Sequence, residues 1–591
     1  MTAALARIPP PYETSLIPDD APFSPEQRAW LSGFLKALLS SPEPAPAAQA
    51  QPAVALAVLY ASQTGTAESL ARKLARAAKG QGFDAVARDI GTLSLEELAK
   101  LGQALVIAAT HGEGEPPDSA VAFTRALESA GGTPLAGLGF AVLALGDSNY
   151  VKFCGYGALV DQRLAELGAT RLADRVDCDG DASGPCVAWR DRVLPLAARH
   201  AGVEAAPVAV ASIAAEEPAE EPGTRANPVT ARLIENRLLT AGSDKEVRHI
   251  AISLEGSALS YEPGDSLGIL ADTPPEMVAS VLSATGLDGA AKVDVDGVRP
   301  LAEALARHLS IGRLTQPTLI KFAARAKDPE LSAVLEPGRA EALAEFLYGR
   351  DLIDLLIRYP GVIDSPQTLV AMLPKLASRV YSIASSAKAH PGEVHLTVAA
   401  VRYQSHGRAR LGIGSTFLAD RAAAAPFGVY VQRAHRFRLP KDGAAPIVMV
   451  GPGTGIAPFR AFLEERRASG AQGKSWLFFG DRRAATDYLY RDELDAFRAD
   501  GTLTRLDTAF SRDQKDKIYV QHRMRESAAE LWRWLKDGAH FYVCGDATHM
   551  AKDVDRALKS IVARQGRMSE AQAQLEVEQL IADGRYLRDV Y

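Results

Sequence analysis

The sequence predicts an α/β multidomain protein: a doubly wound domain, then a β-rich domain with a helical insertion, then a second α/β domain. Three observations carry this reading. Short apolar runs alternate with helical stretches from Val54 onward and again from Pro446, the pattern of parallel sheets covered by helices. Strand-like runs broken by a mainly helical block lie between them. Several of the apolar runs end in loops rich in glycine or hydroxyl residues, where doubly wound folds place their ligands. At 591 residues the chain is also too long for one hydrophobic core.

Residues 1–52 hold one expected helix, Ser24 to Leu39, started by Ser24-Pro25-Glu26-Gln27. Trp30, Leu31, Phe34, Leu35 and Leu38 share one face of it; the face either covers a neighbouring domain or serves self-association. The Pro/Ala-rich stretch Ser41 to Pro52 reads as a linker. In residues 53–202, strands are expected at Val54–Tyr60, Phe83–Arg88, Ala104–Thr110 and Gly139–Leu145, separated by helices such as Ala67–Ala78. Val203 to Pro228, rich in Ala, Pro and Glu, is a second linker, expected to be mobile. Residues 229–440 form the β-rich domain, with strand-like runs at Val229–Leu239, Arg248–Leu254, Tyr261–Ile269, Ser378–Ser386 and Glu393–Arg402 and a helical insertion at about 274–374. Residues 441–591 return to alternating strands and helices.

Bulk composition excludes more than it selects. A hydrophobic content of 47% with 23% charged residues is ordinary for soluble protein. A net charge of -6 argues against a general nucleic-acid binder and leaves room for an acidic patch facing a basic partner. The four cysteines (Cys154, Cys178, Cys186, Cys544) lack metal-ligand spacing, so a reduced, cytoplasmic protein without a metal site is expected. Met1 to Ser15 lacks the basic and apolar regions of a secretory signal, and charge-free apolar stretches near 18 residues are missing, so no membrane span is expected.

The first candidate site is a cradle for flavin mononucleotide. Ser62-Gln63-Thr64-Gly65-Thr66-Ala67 joins a strand to a helix, and backbone N–H groups with hydroxyls at a helix N-terminus suit a phosphate dianion. The helix dipole adds only about 0.3–1 kcal/mol, so hydrogen bonds must supply most of the affinity. Ala109-Thr110-His111-Gly112 and Leu145-Gly146-Asp147-Ser148-Asn149-Tyr150 end the next two strands. Their glycines admit a flat ring and Tyr150 can stack on it; Cys154 lies close by in sequence. Glu113, Glu115, Asp118 and Asp147 form either a docking rim or a merely solvated surface.

The second site suits FAD. In Arg379-Val380-Tyr381-Ser382, Arg379 can clamp a pyrophosphate, Tyr381 can lie against the isoalloxazine and Ser382 can hydrogen-bond near N5. Thr397-Val398-Ala399 and the loop Gly412-Ile413-Gly414-Ser415 complete the set. The third suits NADPH. Pro446 to Val450 leads into Gly451-Pro452-Gly453-Thr454-Gly455 and then a helix, Pro458 to Arg467, the context that gives a glycine loop its meaning. Cations at Ser511-Arg512 and Lys517-Ile518-Tyr519-Val520-Gln521 can hold a 2′-phosphate. Two or three charge-assisted bonds of about 1.5–3 kcal/mol each make a preference of roughly two to six decades over NADH.

Taken with these motifs, residues 54–200 resemble a flavodoxin-type domain, and the FAD and NADPH motifs resemble the ferredoxin–NADP reductase superfamily with its β-barrel FAD domain and α/β NADP-binding domain. Nearly the whole chain is similar to the flavoprotein (alpha) component of NADPH-sulfite reductase, including Trp30-Leu31-Ser32-Gly33, the Asp481 region, Trp532-Arg533-Trp534 and the terminal Arg585-Tyr586-Leu587-Arg588-Asp589-Val590-Tyr591. The resemblance implies that Ser382, Cys544 and Asp589 surround the nicotinamide, that Tyr591 covers the flavin, and that Tyr403 and Asp553 are further nucleotide contacts. Cys544 reads equally as a core cysteine at a strand end. Two departures stand out: His111 where the family has Gln, and Gly-Ile-Gly-Ser where it often has Gly-Gly-Ala-Ser.

What the resemblance implies is a diflavin reductase passing electrons from NADPH through FAD and FMN to a beta-component hemoprotein with siroheme and an iron–sulfur cluster, which reduces sulfite to sulfide for cysteine biosynthesis. Self-association through the N-terminal region is expected as well. The alternatives are a reductase serving a heme monooxygenase and a non-catalytic FMN carrier.

Overall fold

The computed structural model describes Ser24, Leu31 and residues 54–112, 114–147, 152–180, 182–202, 222–336 and 338–591. Contacts divide the chain into two compact units, Met1–Val54 and Ala55–Tyr591. Apart from Ser24 and Leu31, the helix expected at Ser24–Leu39 lies outside the described residues, as do the linker at Ser41–Pro52 and most of the Val203–Pro228 linker.

The first large sheet is parallel and doubly wound. Its strands are β1 (Val54–Ala61), β2 (Phe83–Asp89), β3 (Gln103–Ala109), β4 (Gly139–Gly146), β5 (Thr170–Arg171) and β6 (Val176–Asp179), in the order β2-β1-β3-β4-β5 with β6 also beside β4. β3 and β4 are buried along almost their whole length because helices cover both faces. Helix α1 (Thr66–Gly80) follows β1, and α2 (Gly155–Glu166) packs on β4. A Cβ on Gly157 would stand 2.3 Å from Ala144 Cβ, so glycine is what lets that helix approach. Strand order reverses between β1 and β3, and the carboxyl ends on either side of this switch carry the flavin-cradle loops.

Six antiparallel strands make the second sheet: β7 (Val229–Leu238), β8 (Val247–Ser253), β9 (Ser266–Ile269), β12 (Arg379–Ser382), β13 (Glu393–Ala399) and β16 (Phe427–Gln432). Their order is β12-β9-β16-β7-β8-β13. A register shift between Leu233 and Glu235 lets β7 pair with both β16 and β8, and the bridge Ile383–Leu396 joins the sheet's two ends into a barrel. The insertion carries its own apolar core and, beside its helices, a small hairpin of β10 (Lys292–Asp294) and β11 (Val298–Pro300). A second hairpin, β14 (Arg402–Ser405) and β15 (Arg408–Leu411), is tied to the insertion by Arg410, which meets Asp351 at 2.9 Å and Asp354 at 2.6 Å.

The expected strands shorten where turn chemistry intervenes. Tyr261–Ile269 becomes a strand only at Ser266, because Gly264 (φ +99°) and the Asp265 N–H bond to Glu262 O make a turn first. The run Glu393–Arg402 breaks after Ala399, and Arg402 starts the separate hairpin.

The third large sheet is parallel throughout: β17 (Ile447–Val450), β18 (Ser475–Asp481), β19 (Arg505–Phe510), β20 (His540–Gly545) and β21 (Tyr586–Val590), ordered β19-β18-β17-β20-β21. Helices α3 (Ala457–Ala468), α4 (Val520–Glu526) and α5 (Met550–Gly566) follow β17, β19 and β20. Helix α3 pins this sheet to the barrel. Arg460, 6% exposed, donates to Ala384 O at 2.7 Å, and Glu464 accepts from Ser386 N at 2.8 Å and meets His390 Nε2 at 3.0 Å. His395 beside Arg460 is neutral, its pKa pushed down to about 4, mainly by burial. His390, Glu393 and His395 bring donor atoms within 4.8 Å of one another, but each already serves this seam or its neighbour. Among the described residues, no helix is long and apolar enough to cross a membrane.

Candidate active site

The first cradle is built by the ends of β1, β3 and β4. Gly65 takes a left-handed conformation (φ +84°) at the start of α1, which turns the chain so that the first-turn N–H groups of the helix face outward from the strand end. Gly112 (φ +53°) and Gly114 (φ +109°) close a tight turn after β3, fastened by the His111 N–H to Glu115 O bond at 2.9 Å. Thr110 donates its N–H to Leu145 O at 2.9 Å, joining the second and third loops. Among the described residues, neither Ser62 Oγ nor His111 Nε2, both buried, has a hydrogen-bond partner. Burial holds the His111 pKa below the ordinary histidine value, so the ring is neutral. A buried orphan hydroxyl and ring nitrogen at these strand ends fit a polar ligand such as FMN, whose acceptors would satisfy them.

Some candidates line this cradle without offering side chains to it. Ala67, in the first turn of α1, is fully buried, and the thiol of Cys154 sits inside the sheet against Ala144 O and Cys178 O. Burial pushes the Cys154 thiol up to about 12, which keeps it protonated. Its contribution is the left-handed turn (φ 54°) that begins α2 beneath Gly146. Ser148, Asn149 and Tyr150 lie outside the described residues.

In the barrel, the Gly412–Ser415 loop lies directly on β12. A Cβ on Gly414 would stand 2.6 Å from Arg379 Cγ and 2.9 Å from the Tyr381 hydroxyl, so the backbone itself forms the cradle beside these two residues. Ser415 Oγ accepts from Val401 N at 3.0 Å and holds the loop in place, with Ile413 buried behind it. Tyr403 on β14 is half exposed. Thr397 is engaged with the Tyr490 hydroxyl at 2.8 Å, and Val398 belongs to the barrel core while Ala399 faces the cavity.

That cavity, of about 480 Å³, is lined by Val380, Tyr381, Ser382 and Ala399 from the barrel, by Thr454, Asp589 and Tyr591 from the third sheet, and by Gln63, Thr64 and His111 from the first. Its size is that of an ordinary small-ligand or cofactor site. On its wall the third sheet contributes a convergent group. β20 and β21 pair with Cys544 opposite Asp589. Ser382 Oγ donates to Asp589 Oδ2 at 2.6 Å, and Cys544 Sγ lies 3.8 Å from the same oxygen. Burial raises the pKa of both the Asp589 carboxyl and the Cys544 thiol. Tyr591 closes the group: its hydroxyl meets Thr454 Oγ1 at 3.0 Å and its N–H donates to Gly545 O at 3.1 Å. A Cβ on Gly455 would stand 2.1 Å from Cys544 O, so the glycine loop seats directly on this strand end, with Gly453 (φ +59°) at its turn.

The remaining candidates gather at the carboxyl end of β19. Ser511 N–H donates to Asp481 O, Arg512 reaches Asp244 at 3.2 Å, and Gln521 Nε2 donates to Asp553 Oδ2 at 3.2 Å. Tyr519 is exposed and stacks on His522, whereas Val520 and Ile518 pack into the sheet's core, leaving their main chain and the neighbouring Lys517 for a ligand.

One functional arrangement has no local signal in the sequence. Arg588 on β21 forms an ion pair with Asp118 of the first α/β region, 470 positions away. Gln63 locks the pair: its Nε2 donates to Asp118 Oδ2 at 3.1 Å and its Oε1 accepts from Asp118 N at 2.9 Å. Lys552 meets Glu115 at 3.0 Å, and Arg125 pairs with Glu578. Two of the acids expected to form a docking rim, Glu115 and Asp118, are therefore engaged within the chain.

A doubly wound sheet with an anion cradle, an antiparallel barrel and a parallel sheet with a glycine loop, all meeting at one cavity, define a flavoprotein oxidoreductase using a pyridine nucleotide. Family models agree along the chain: flavodoxin over residues 58–188, FAD binding domain over 221–417 and oxidoreductase NAD-binding domain over 449–556. FMN, FAD and NADPH are accordingly its cofactors and substrate. Similar proteins include the sulfite reductase (NADPH) flavoprotein alpha-components of Bacillus subtilis (strain 168), 44% identical over 96% of this chain and 95% of the relative, of Serratia proteamaculans (strain 568), 41% identical over 96% of each, and of Neisseria meningitidis serogroup C (strain 053442), 41% identical over 96% and 95%. The chain belongs to the family of sulfite reductase (NADPH) flavoprotein alpha-components.

Proposed function

We propose that the chain takes reducing equivalents from NADPH and delivers them singly to a siroheme and iron–sulfur hemoprotein, the beta component, which reduces sulfite to sulfide for cysteine biosynthesis. The observation that carries the reading is the convergence of Ser382 and Asp589 on a cavity that also reaches the first cradle, with Cys544 buried beside the Asp589 carboxylate. When bound, FAD supplies the change from two-electron to one-electron chemistry and FMN the relay to the acceptor. Ser382, Cys544 and Asp589 would orient the nicotinamide; Tyr591 would hold its place until the Thr454 contact breaks. Arg379, Tyr381 and the Gly412–Ser415 loop would hold FAD. Ser62–Ala67, Thr110–Gly112 and Leu145–Tyr150 would hold FMN. Gly453 and Thr454 would receive the NADPH pyrophosphate, and Ser511, Arg512, Lys517, Tyr519 and Gln521 its 2′-phosphate.

Arg588 and Asp118, with Gln63 between them, would position the first cradle against the cavity during transfer between flavins. Release of that contact would free Glu115 and Asp118 to meet the acceptor, the Val203–Pro228 linker giving the reach. The domain divisions near residues 202, 228 and 440 and self-association through the N-terminal segment belong to the same reading. A cytoplasmic site is supported by the four cysteines, all buried and unpaired.

The test is anaerobic NADPH oxidation by the flavin-loaded chain with a siroheme partner, with and without sulfite. Sulfite-dependent oxidation with sulfide appearing is expected. Brisk reduction of cytochrome c with sulfite ignored would mean that the acceptor is a different protein.

A further inference from the structure

The turn between β7 and β8 reaches across to the strand ends of the third sheet. Ser243 Oγ donates to Asp487 Oδ1 at 2.5 Å, and Lys245 Nζ donates to both oxygens of Asp481 at 2.5 and 2.6 Å. These bonds clamp the turn to the loop after β18, and between them stands Asp244. One of its oxygens lies 2.9 Å from Arg482 Nη1 and the other 3.2 Å from Arg512 Nη1. The two arginines come from neighbouring loops, joined by the Arg512 N–H to Arg482 O bond at 2.8 Å. A carboxylate bridging two guanidinium groups has the charge pattern of a bound phosphate. Each of the three side chains is more than a third exposed, so the bridge is open to exchange with an anion from solvent.

We propose that Asp244 is a resident counter-ion that the 2′-phosphate of NADPH displaces, making it a specificity-determining residue of the nucleotide site. The inference rests on the reading that Arg512 receives that phosphate. Hydrogen bonding from Arg482 keeps the Asp244 carboxyl below the ordinary carboxylate range, so it competes as an anion at neutral pH. A phosphate dianion brings more charge and more acceptor oxygens than one carboxylate, so it wins the arginines. A nucleotide lacking the 2′-phosphate leaves the bridge intact and gains nothing from it. The competition tempers NADPH affinity, which favours release after each turnover.

The experiment is calorimetry of the flavin-loaded full chain with 2′,5′-ADP and with 5′-AMP, for the wild type, Asp244→Asn and Arg512→Gln. Asp244→Asn is expected to bind 2′,5′-ADP about threefold to fivefold tighter, the scale of an exposed ion pair, with 5′-AMP unchanged. Ser243 and Lys245 keep the turn anchored in that variant. If Arg512→Gln weakens 2′,5′-ADP while Asp244→Asn leaves it unchanged or weaker, the competition is overturned and the phosphate site stands. If Arg512→Gln has no effect on 2′,5′-ADP, the phosphate lies elsewhere and both fall.

Discussion

The loops at the ends of the first sheet and those at the ends of the third face the same cavity, but their polar atoms are satisfied in different ways. In the first, Ser62 Oγ and His111 Nε2 are buried without partners among the described residues. In the third, Asp589 accepts from Ser382 of the barrel, Cys544 stands beside that carboxylate and Tyr591 bonds Thr454. An unpaired buried polar group costs about 1–3 kcal/mol, which a ligand's acceptors and donors recover on binding. A site that satisfies itself must instead lose a bond, about 1 kcal/mol net, when a ligand enters. On the proposed function, the difference is that between a cradle completed by a resident cofactor and a gate that opens for a substrate arriving and leaving at every turnover.

The largest expected effect breaks the gate's chemistry. Ser382→Ala removes the hydroxyl that fixes Asp589, and flavin reduction by NADPH should slow about 100-fold, as for loss of one preorganised polar group. Stopped-flow reduction beside the NADP⁺ dissociation constant separates positioning from binding; an unchanged rate would make the Ser382–Asp589 bond purely structural. A smaller change should sharpen the contrast. Tyr591→Phe deletes the hydrogen bond that holds the terminal ring on Thr454 and leaves the Thr454 hydroxyl for the pyrophosphate, so a nicotinamide nucleotide should bind about fivefold tighter. Equal or weaker binding on titration would show that Tyr591 does not leave its place.

The smallest effect concerns the cradle. His111 is held neutral by burial, with its pKa below the unfolded value of about 6.5. Protons therefore bind the unfolded chain more readily. The stability contribution is complete above about pH 6.5 and falls as the pH drops below it toward the folded value. Melting curves between pH 5 and 7 should show that decline, to which buried His249 and His395 also contribute, and His111→Gln should lessen it. A decline of the same size in the variant would place its origin in another group.

Legibility in the sequence followed the range of the interactions. The strand-to-helix loop at Ser62–Ala67 and the glycine turn at Gly451–Gly455 were readable because glycine and hydroxyl residues dictate local backbone geometry. The strand ends fell within a residue or two of their expected places at β1, β2, β3 and β4. The turn at Glu262–Asp265 was hidden inside an apolar run, and the β10–β11 hairpin inside a helical block, because short strands leave little periodicity. Cys544 had two readings at the sequence level. Its register opposite Asp589 and its 3.8 Å approach to that carboxylate put it in the core directly behind a residue that lines the cavity.

By itself the sequence determined the three kinds of sheet, their order and the loops proposed to hold nucleotides, since each depends on residues within a dozen positions of one another. Family resemblance named Ser382, Cys544 and Asp589 as a group, but no spacing or periodicity linked them. Only the tertiary structure decided that β12 meets β21 across the α3 seam, that Arg588 reaches Asp118, and that Asp244 bridges Arg482 and Arg512. Each of those contacts joins strand ends or turns from different sheets. Their partners are chosen by how whole sheets pack, a property that no local run of residues encodes.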